Sequence, residues 1–154
     1  MDAAETMTEN RKFPLLPNYI GPKTGMFGFV HHGKLCEWSD NILKRCSYVE
    51  TEKPQSELPI RCSHMMYLDP VECPAAYVIK ALNDKYDADR KPLENKYWAG
   101  RMALDLGKYL ADRKALDDKY DADFKPLNAE VLHYLRTQIP DCRWDEKTNQ
   151  LRFE

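Results

Sequence analysis

A chain of 154 residues with 43% hydrophobic and 31% charged residues has the length of one globular domain and is long enough to bury a sizeable core. The formal net charge of -2 gives no one-sided electrostatic field, so we expect neither nucleic acid nor an anionic membrane as a partner. No run of residues approaches the roughly 20 apolar positions that span a bilayer, and the first residues lack the basic-then-apolar order of a signal peptide, so we expect neither insertion nor export.

The number and spacing of the cysteines predict whether the protein resides in a reducing or an oxidising compartment. The cysteines are odd in number, widely spaced and without a Cys-x-x-Cys pair: Cys36, Cys46, Cys62, Cys73 and Cys142. A secreted disulfide framework normally uses an even number of cysteines, whereas free thiols persist in the cytoplasm or another reducing compartment. We therefore predict that these cysteines are small buried hydrophobic residues in such a compartment.

Residues 1–24 are predicted to form an extended interaction arm. Pro14, Pro17 and Pro22 exclude a regular helix or a central strand. The apolar side chains between them are too many for an idle linker, so the arm should lie along a surface, its own or a neighbour's. We hypothesise that it binds a neighbour through Phe13, Leu15, Leu16, Tyr19 and Ile20.

The rest of the chain, 25–154, is predicted to be a single α+β domain that begins with an antiparallel β-meander over 25–70. The pattern indicates strands over 26–30 and 35–38, with His32 and Gly33 at the turn, and a third strand over 42–50. Over 58–68, apolar side chains alternate with polar ones, which is typical of a strand with one face on a core. We expect that face to pack against the helices through Leu58, Ile60, Cys62 and Met66.

Residues 74–139 are predicted to be helical. Apolar residues recur there with a period of 3.6, and Pro74 suits a first turn. The segment 81–93 recurs 34 residues later as 115–127 with 11 of 13 positions identical, which indicates a duplication or a shared packing demand. One helix over 75–139 would be roughly 97 Å long, far more than a compact domain measures, so we expect two or three antiparallel helices, kinked or broken near Pro92 and Pro126.

The last segment, 141–154, is predicted to be a small β-hairpin in which Cys142 and Trp144 lie opposite Phe153 and Leu151. Two β-strands at the end of the helices complete the predicted α+β architecture.

The best candidates for metal ligands are His31, His32, Cys36 and Cys46. A nucleophile and its base could be Cys36 with His31, or Cys62 with His64. Zinc ligands usually come in close pairs that one turn presents to the ion, and none of these residues forms such a pair. Nothing in the sequence supplies an orienting group or an oxyanion donor either. We therefore predict no metal site, no cofactor and no catalytic residue.

Two acidic clusters resemble calcium ligands only superficially. They lie in the duplicated segments: Asp84, Asp87 and Asp89, then Asp117, Asp118, Asp121 and Asp123. A calcium loop needs a glycine and a distal glutamate, and lysine and proline occupy the corresponding positions here. We predict a solvated helix face whose acids pair with lysines four residues away.

The pair Tyr97 and Trp98 is a candidate interaction site. Adjacent helical residues point about 100° apart, so both rings cannot easily be buried. Interfaces are enriched in such residues, and we expect one of the two to meet solvent or a partner.

These features favour a non-enzymatic structural or assembly subunit of a larger protein complex, for which a virus or phage particle is the commonest setting. The expected partners are protein subunits, copies of itself or others, and no small-molecule ligand is indicated. The alternatives are a soluble binding or inhibitory module with a single partner, and a Cys/His metal-dependent regulator or enzyme. A mass measurement in solution with metal analysis of the same sample would distinguish the three.

Overall fold

The computed structural model describes residues 11–99 and 106–153. An N-terminal antiparallel sheet, two long helices and a C-terminal two-stranded hairpin confirm the predicted α+β fold. In chain order the elements are β1 (Gly25–His31), β2 (Lys34–Ser39), α1 (Ile42–Glu52), a 3-10 turn (Gln55–Glu57), α2 (Leu58–His64), β3 (Met66–Leu68), α3 (Pro74–Ala99), α4 (Leu106–Gln138), β4 (Trp144–Asp145) and β5 (Gln150–Leu151).

The N-terminal sheet has the strand order β2-β1-β3, so β1 lies in the centre and pairs antiparallel with both neighbours. The register between β1 and β2 shifts between Gly28 and His31, and Phe29 within this interval has a φ of 56°. A bulge of this kind places two successive residues on the same face of a sheet. Gly28 and Phe29 accordingly both face α4, while Phe27 and Val30 face the other side.

The sheet therefore separates two hydrophobic cores. The first core lies under α3 and α4 and includes Met26, Phe29, Leu35, Cys36, Met66, Leu68, Ala76, Ile79, Val131 and Leu135. The second core lies under α1 and the N-terminal segment and comprises Leu15, Phe27, Val30, Ile42, Cys46, Val49 and Met65. Because β1 is covered on both faces, its residues form one continuous apolar run and do not alternate between apolar and polar.

Two of the predicted strands are helices in the structure. Residues 42–50 were expected to extend the sheet, but Ile42–Glu52 is helical: the side chain of Asn41 caps it by accepting from the Leu43 amide at 3.1 Å. Ile42, Cys46 and Val49 are spaced for one helix face and enter the second core.

The predicted strand over 58–68 was also mostly wrong. Leu58–His64 forms α2, with Pro59 in its first turn, and only Met66–Leu68 pairs in the sheet. The expected apolar face therefore divides between the cores. Ile60 enters the first core, whereas Leu58 and Cys62 pack at the margin of the second.

The two long helices form an antiparallel hairpin, as predicted. Helix α3 continues through Pro92 and α4 continues through Pro126, so neither proline ends its helix. Both prolines are exposed. The duplicated segments lie side by side: Tyr86 and Tyr120, which occupy the same position in the two copies, make an edge-to-face contact with ring centres 5.1 Å apart.

The predicted C-terminal hairpin is confirmed, with Trp144 opposite Leu151. The amide of Leu151 donates to the carbonyl of His32 at 2.8 Å, and the ring of Trp144 lies 5.7 Å from that of Phe29. These contacts fix the hairpin to the first core beside the β1–β2 turn. Across residues 11–99 and 106–153, no helix combines the length and the apolar character that crossing a membrane requires.

Candidate functional site at the helical hairpin and its cleft

Exposed apolar side chains gather at the end of the helical hairpin. We call this surface the aromatic tip: Tyr97, Trp98, Leu106, Tyr109 and Leu110. The rings of Tyr97 and Tyr109 stack across the two helices at 4.3 Å, and Trp98 meets Tyr97 edge-on at 5.3 Å. The exposed fraction is 64% for Trp98, 53% for Leu106 and 55% for Leu110. As the sequence predicted, one member of the Tyr97–Trp98 pair meets solvent.

A polar network behind the aromatic tip holds the two helices together. Arg113 of α4 donates to Glu94 of α3 at 3.0 Å and to the hydroxyl of Tyr109 at 3.3 Å. Hydrogen bonds to Tyr109 and then to Tyr86 raise the pKa of Arg113, which stays charged. Arg90 approaches the same Glu94 carboxylate at 3.3 Å. Of these bonds, Arg113–Glu94 joins α4 to α3 directly behind the tip.

Farther along the hairpin, two tyrosines donate to carboxylates of the opposite helix. Tyr86 donates to Asp117, and Tyr120 donates to Asp89. The bond to Asp89 raises the pKa of Tyr120 to about 12, so this hydroxyl keeps its proton. Two acids of the calcium-like clusters, Asp89 and Asp117, therefore accept hydrogen bonds from tyrosines of the facing helix.

Two further acids pair along their own helices with lysines four residues away, as predicted. Lys80 binds Asp84 at 2.7 Å, and Lys114 binds Asp118 at 2.6 Å. Among the described residues, no three His, Cys, Asp or Glu side chains converge as they would around a metal ion.

A cleft of about 960 Å³ lies between β2, the helical hairpin and the β4–β5 hairpin. Four aromatic side chains line it: Trp38, Tyr86, Phe124 and Trp144. Sequence reasoning missed this site, because its walls come from four separate elements and no local pattern joins them. Asn83 and Asn128 lie at its rim.

The N-terminal arm packs on the protein's own cores over its described part. Leu15 is buried in the second core, Tyr19 packs against that core, and Phe13 packs against the first. Leu16 is half-buried, and Ile20 is 56% exposed. Residues 1–10 of the predicted arm lie outside the described residues. Of the arm residues named from sequence, Ile20 has the most surface available to a partner.

The structure separates the four candidate metal ligands. His31 and His32 stack on each other at 4.8 Å at the β1–β2 turn, where Nδ1 of His31 accepts from the Gly33 amide at 3.1 Å. Cys36 is buried in the first core and Cys46 in the second. Burial raises the pKa of each thiol to about 12, so both stay protonated.

Cys62 and His64 do not form a nucleophile–base pair. Cys62 packs at the margin of the second core, whereas His64 lies against Phe29 of the first. Nε2 of His64 donates to the carbonyl of Asp141 at 2.7 Å, and Nδ1 lies 2.8 Å from Ser63 Oγ. Burial lowers the pKa of His64, so the imidazole is neutral and serves to anchor the C-terminal segment.

Sequence reasoning also missed the burial of Arg61, which is one of the polar residues in the predicted strand over 58–68. Its Nη1 donates to the carbonyl of Val30 at 2.9 Å, its Nη2 lies 3.5 Å from Glu57, and the guanidinium lies over the ring of Phe153. The spacing of Glu57 and Arg61, four residues apart, was the available signal for a helix here.

Comparison with protein-family models, with curated proteins and with solved structures found no match for this chain.

Proposed function

We propose that this protein is a non-enzymatic subunit of a larger protein complex and that it binds a neighbouring protein through the aromatic tip. The observation that carries the proposal is the exposure of Trp98 beside Leu106 and Leu110 at one end of the molecule. Clustered exposed apolar residues mark interaction sites, and Trp and Tyr are enriched among the residues that contribute most to binding.

The rigidity of the hairpin supports this proposal. The Arg113–Glu94 bond behind the tip and the stacked Tyr97 and Tyr109 within it join the two helices. A preorganised surface loses little conformational entropy on binding, so more of its apolar contact contributes to affinity. The protonated thiols of Cys36 and Cys46 and the neutral, anchored His64 favour a non-enzymatic role, because the nucleophile and base candidates are occupied in packing.

The experiment is a mass measurement in solution over a range of concentrations for the wild type and for the double variant Trp98→Ser/Leu110→Ser. We expect the wild type to exceed the monomer mass of 18.0 kDa and the tip variant to remain at it. The matched control is Val71→Ser/Val78→Ser, which also removes exposed apolar side chains and should assemble like the wild type. Equal assembly of the tip variant and the control would contradict the proposal.

The second candidate is a module that docks on one different protein. The packing of Phe13, Leu15 and Tyr19 on their own domain favours it, because these side chains are then occupied within one chain and do not reach a neighbouring copy. A wild type that stays monomeric at every concentration would support this candidate over self-assembly. A photoreactive residue introduced at position 98 should then cross-link one defined protein, whereas the same residue at position 71 should not.

A further inference from the structure

The outer edge of β2 borders the cleft. β2 pairs with β1 on one side and is the last strand of its sheet. Within residues 11–99 and 106–153, the backbone of 34–39 makes no backbone hydrogen bond other than those to β1. An edge strand of this kind presents N–H and C=O groups that another strand can pair with.

The lining of the cleft shows that it follows β2. Six successive residues, 33–38, all contribute to its wall. The cleft therefore extends along most of β2, which is the edge strand of its sheet.

The opposite wall is formed by the helical hairpin, and one end by the C-terminal hairpin. The wall residues from the helices include Lys80, Asn83, Asp84, Asp87, Asp121, Phe124, Lys125 and Asn128. Trp144, Glu146 and Asn149 stand at the C-terminal hairpin. An edge strand that faces a helix across a groove is the arrangement in which an extended peptide is held by strand addition.

We propose that this cleft binds an extended peptide segment of a partner protein, which adds to the sheet as a fourth strand along β2. An extended peptide supplies backbone donors and acceptors at the same repeat as the edge, which a small molecule does not. Six residues of β2 are about 20 Å long, and 960 Å³ lies at the upper end of the roughly 300–1,000 Å³ of small-molecule pockets. The length of β2 and the volume of the cleft are both large enough for a short peptide strand.

The walls also indicate which peptide fits. Phe124, Tyr86 and Trp38 offer aromatic surface to alternate side chains of the added strand, so apolar residues at every second position are favoured. The charged side chains of the walls are of both signs, and Lys80–Asp84 and Arg90–Asp87 already neutralise each other. The preferred peptide therefore has little net charge.

The test begins with short random peptides displayed on phage, selected against the full-length protein and counter-selected against Asn128→Trp. Asn128 is exposed and lines the cleft, so a tryptophan there fills it; Glu130→Trp, two residues along the same helix and outside the lining, is the matched control. Circular dichroism verifies that each variant is folded, and Asn83→Trp replaces Asn128→Trp if the latter is not. The best peptide is then synthesised in three forms: unmodified, with N-methyl groups on the odd-numbered amides, and with N-methyl groups on the even-numbered amides.

We expect the peptide to bind the wild type and Glu130→Trp, to lose at least about tenfold in affinity for Asn128→Trp, and to slow amide exchange at residues 34–39. N-methylation of one set of alternate amides should abolish binding, because those amides point toward β2. Methylation of the other set should leave binding unchanged, because those amides point away from β2. The proposal would be overturned if no peptide were enriched, if both methylated forms bound equally, or if the slowed exchange lay outside 34–39. An oligosaccharide that binds the cleft when peptides do not would also overturn it.

This site is independent of the aromatic tip, since none of the five tip residues lines the cleft. The variant Trp98→Ser/Leu110→Ser should therefore keep its affinity for the selected peptide. Loss of assembly with peptide binding retained would separate the two surfaces.

Discussion

Gly28 shows at the scale of one residue how closely the sheet meets the helices. A Cβ atom at this position would lie 2.8 Å from Cδ2 of Leu135. Leu135 is fully buried, so an added methyl group would have to displace it within a packed core. The absence of a side chain at Gly28 therefore permits α4 to approach β1.

We expect Gly28→Ala to lower the free energy of unfolding by about 1–3 kcal/mol, because an extra methyl group overpacks the first core. Urea unfolding would measure the change. Gly33→Ala is the matched control, since a Cβ there meets the ring of His31 at an ordinary 3.5 Å and should alter stability by less than about 0.5 kcal/mol. Equal effects of the two substitutions would contradict the proposed close approach.

His64 makes stability depend on pH. Burial lowers its pKa below the ordinary 6.5, so below pH 6.5 the unfolded chain binds a proton that the folded protein does not. Stability should therefore fall as the pH decreases from 6.5, by up to about 1.4 kcal/mol per pH unit, until the folded protein is also protonated. His31 acts with the same sign but is only half-buried, so its share is smaller.

Urea unfolding at several pH values between 7 and 5 tests this for His64→Gln, which should flatten the slope. The exposed His133→Gln on α4 is the control and should keep the wild-type slope. The contribution of Asp145, whose pKa is lowered by its bond to Arg152, is lost only at lower pH, below its ordinary value of 3.8. A wild-type slope in His64→Gln would refute the assignment.

At the scale of elements, the long helices owe their continuity to tertiary contacts rather than to their sequences alone. A proline inside a helix removes one hydrogen bond and costs about 3 kcal/mol, yet α4 continues through Pro126. Phe124 and Leu127 on either side of it pack against the first core, and Tyr120 is buried one turn and a half earlier. Burial on both sides offsets the local cost.

Pro126→Ala should therefore stabilise the protein by about 1–2 kcal/mol, because alanine restores the missing amide while the unfolded chain regains some freedom. Thermal unfolding followed by circular dichroism would measure it. Lys125→Ala, the neighbouring exposed position, should have little effect, since lysine and alanine are both good helix formers. A loss of stability in Pro126→Ala would show instead that packing depends on a bend at this proline.

For the whole molecule, the N-terminal segment contributes to both cores. Removal of residues 1–24 deletes the contacts of Phe13, Leu15 and Tyr19, and the loss should be about 2–4 kcal/mol because one buried leucine alone is worth about 1.5–3 kcal/mol. Urea unfolding of 25–154 against the full chain tests this, with 11–154 as the control that keeps these contacts. Unchanged stability of 25–154 together with lost assembly would instead support the arm as a contact to a neighbour.

Sequence reasoning recovered what local chemistry specifies. The β1–β2 turn at His32 and Gly33, the long amphipathic helices and the terminal hairpin with Trp144 opposite Leu151 all follow from period, turn residues and cross-strand pairing. The solvent-facing aromatic of the Tyr97–Trp98 pair follows from helix geometry in the same way. In each case the determining residues are neighbours along the chain.

The tertiary structure decided the remainder. Residues 42–50 and 58–64 are short segments whose patterns suit a strand or a helix, and burial decides between them: as a helix, 42–50 places Ile42, Cys46 and Val49 in the second core, while Ile60 of 58–64 enters the first. The bulge at Phe29, the buried Arg61 and the bonds of Tyr86 and Tyr120 to the facing helix join residues distant in sequence. The cleft along β2 exists only where four elements meet, so no local pattern could have predicted it.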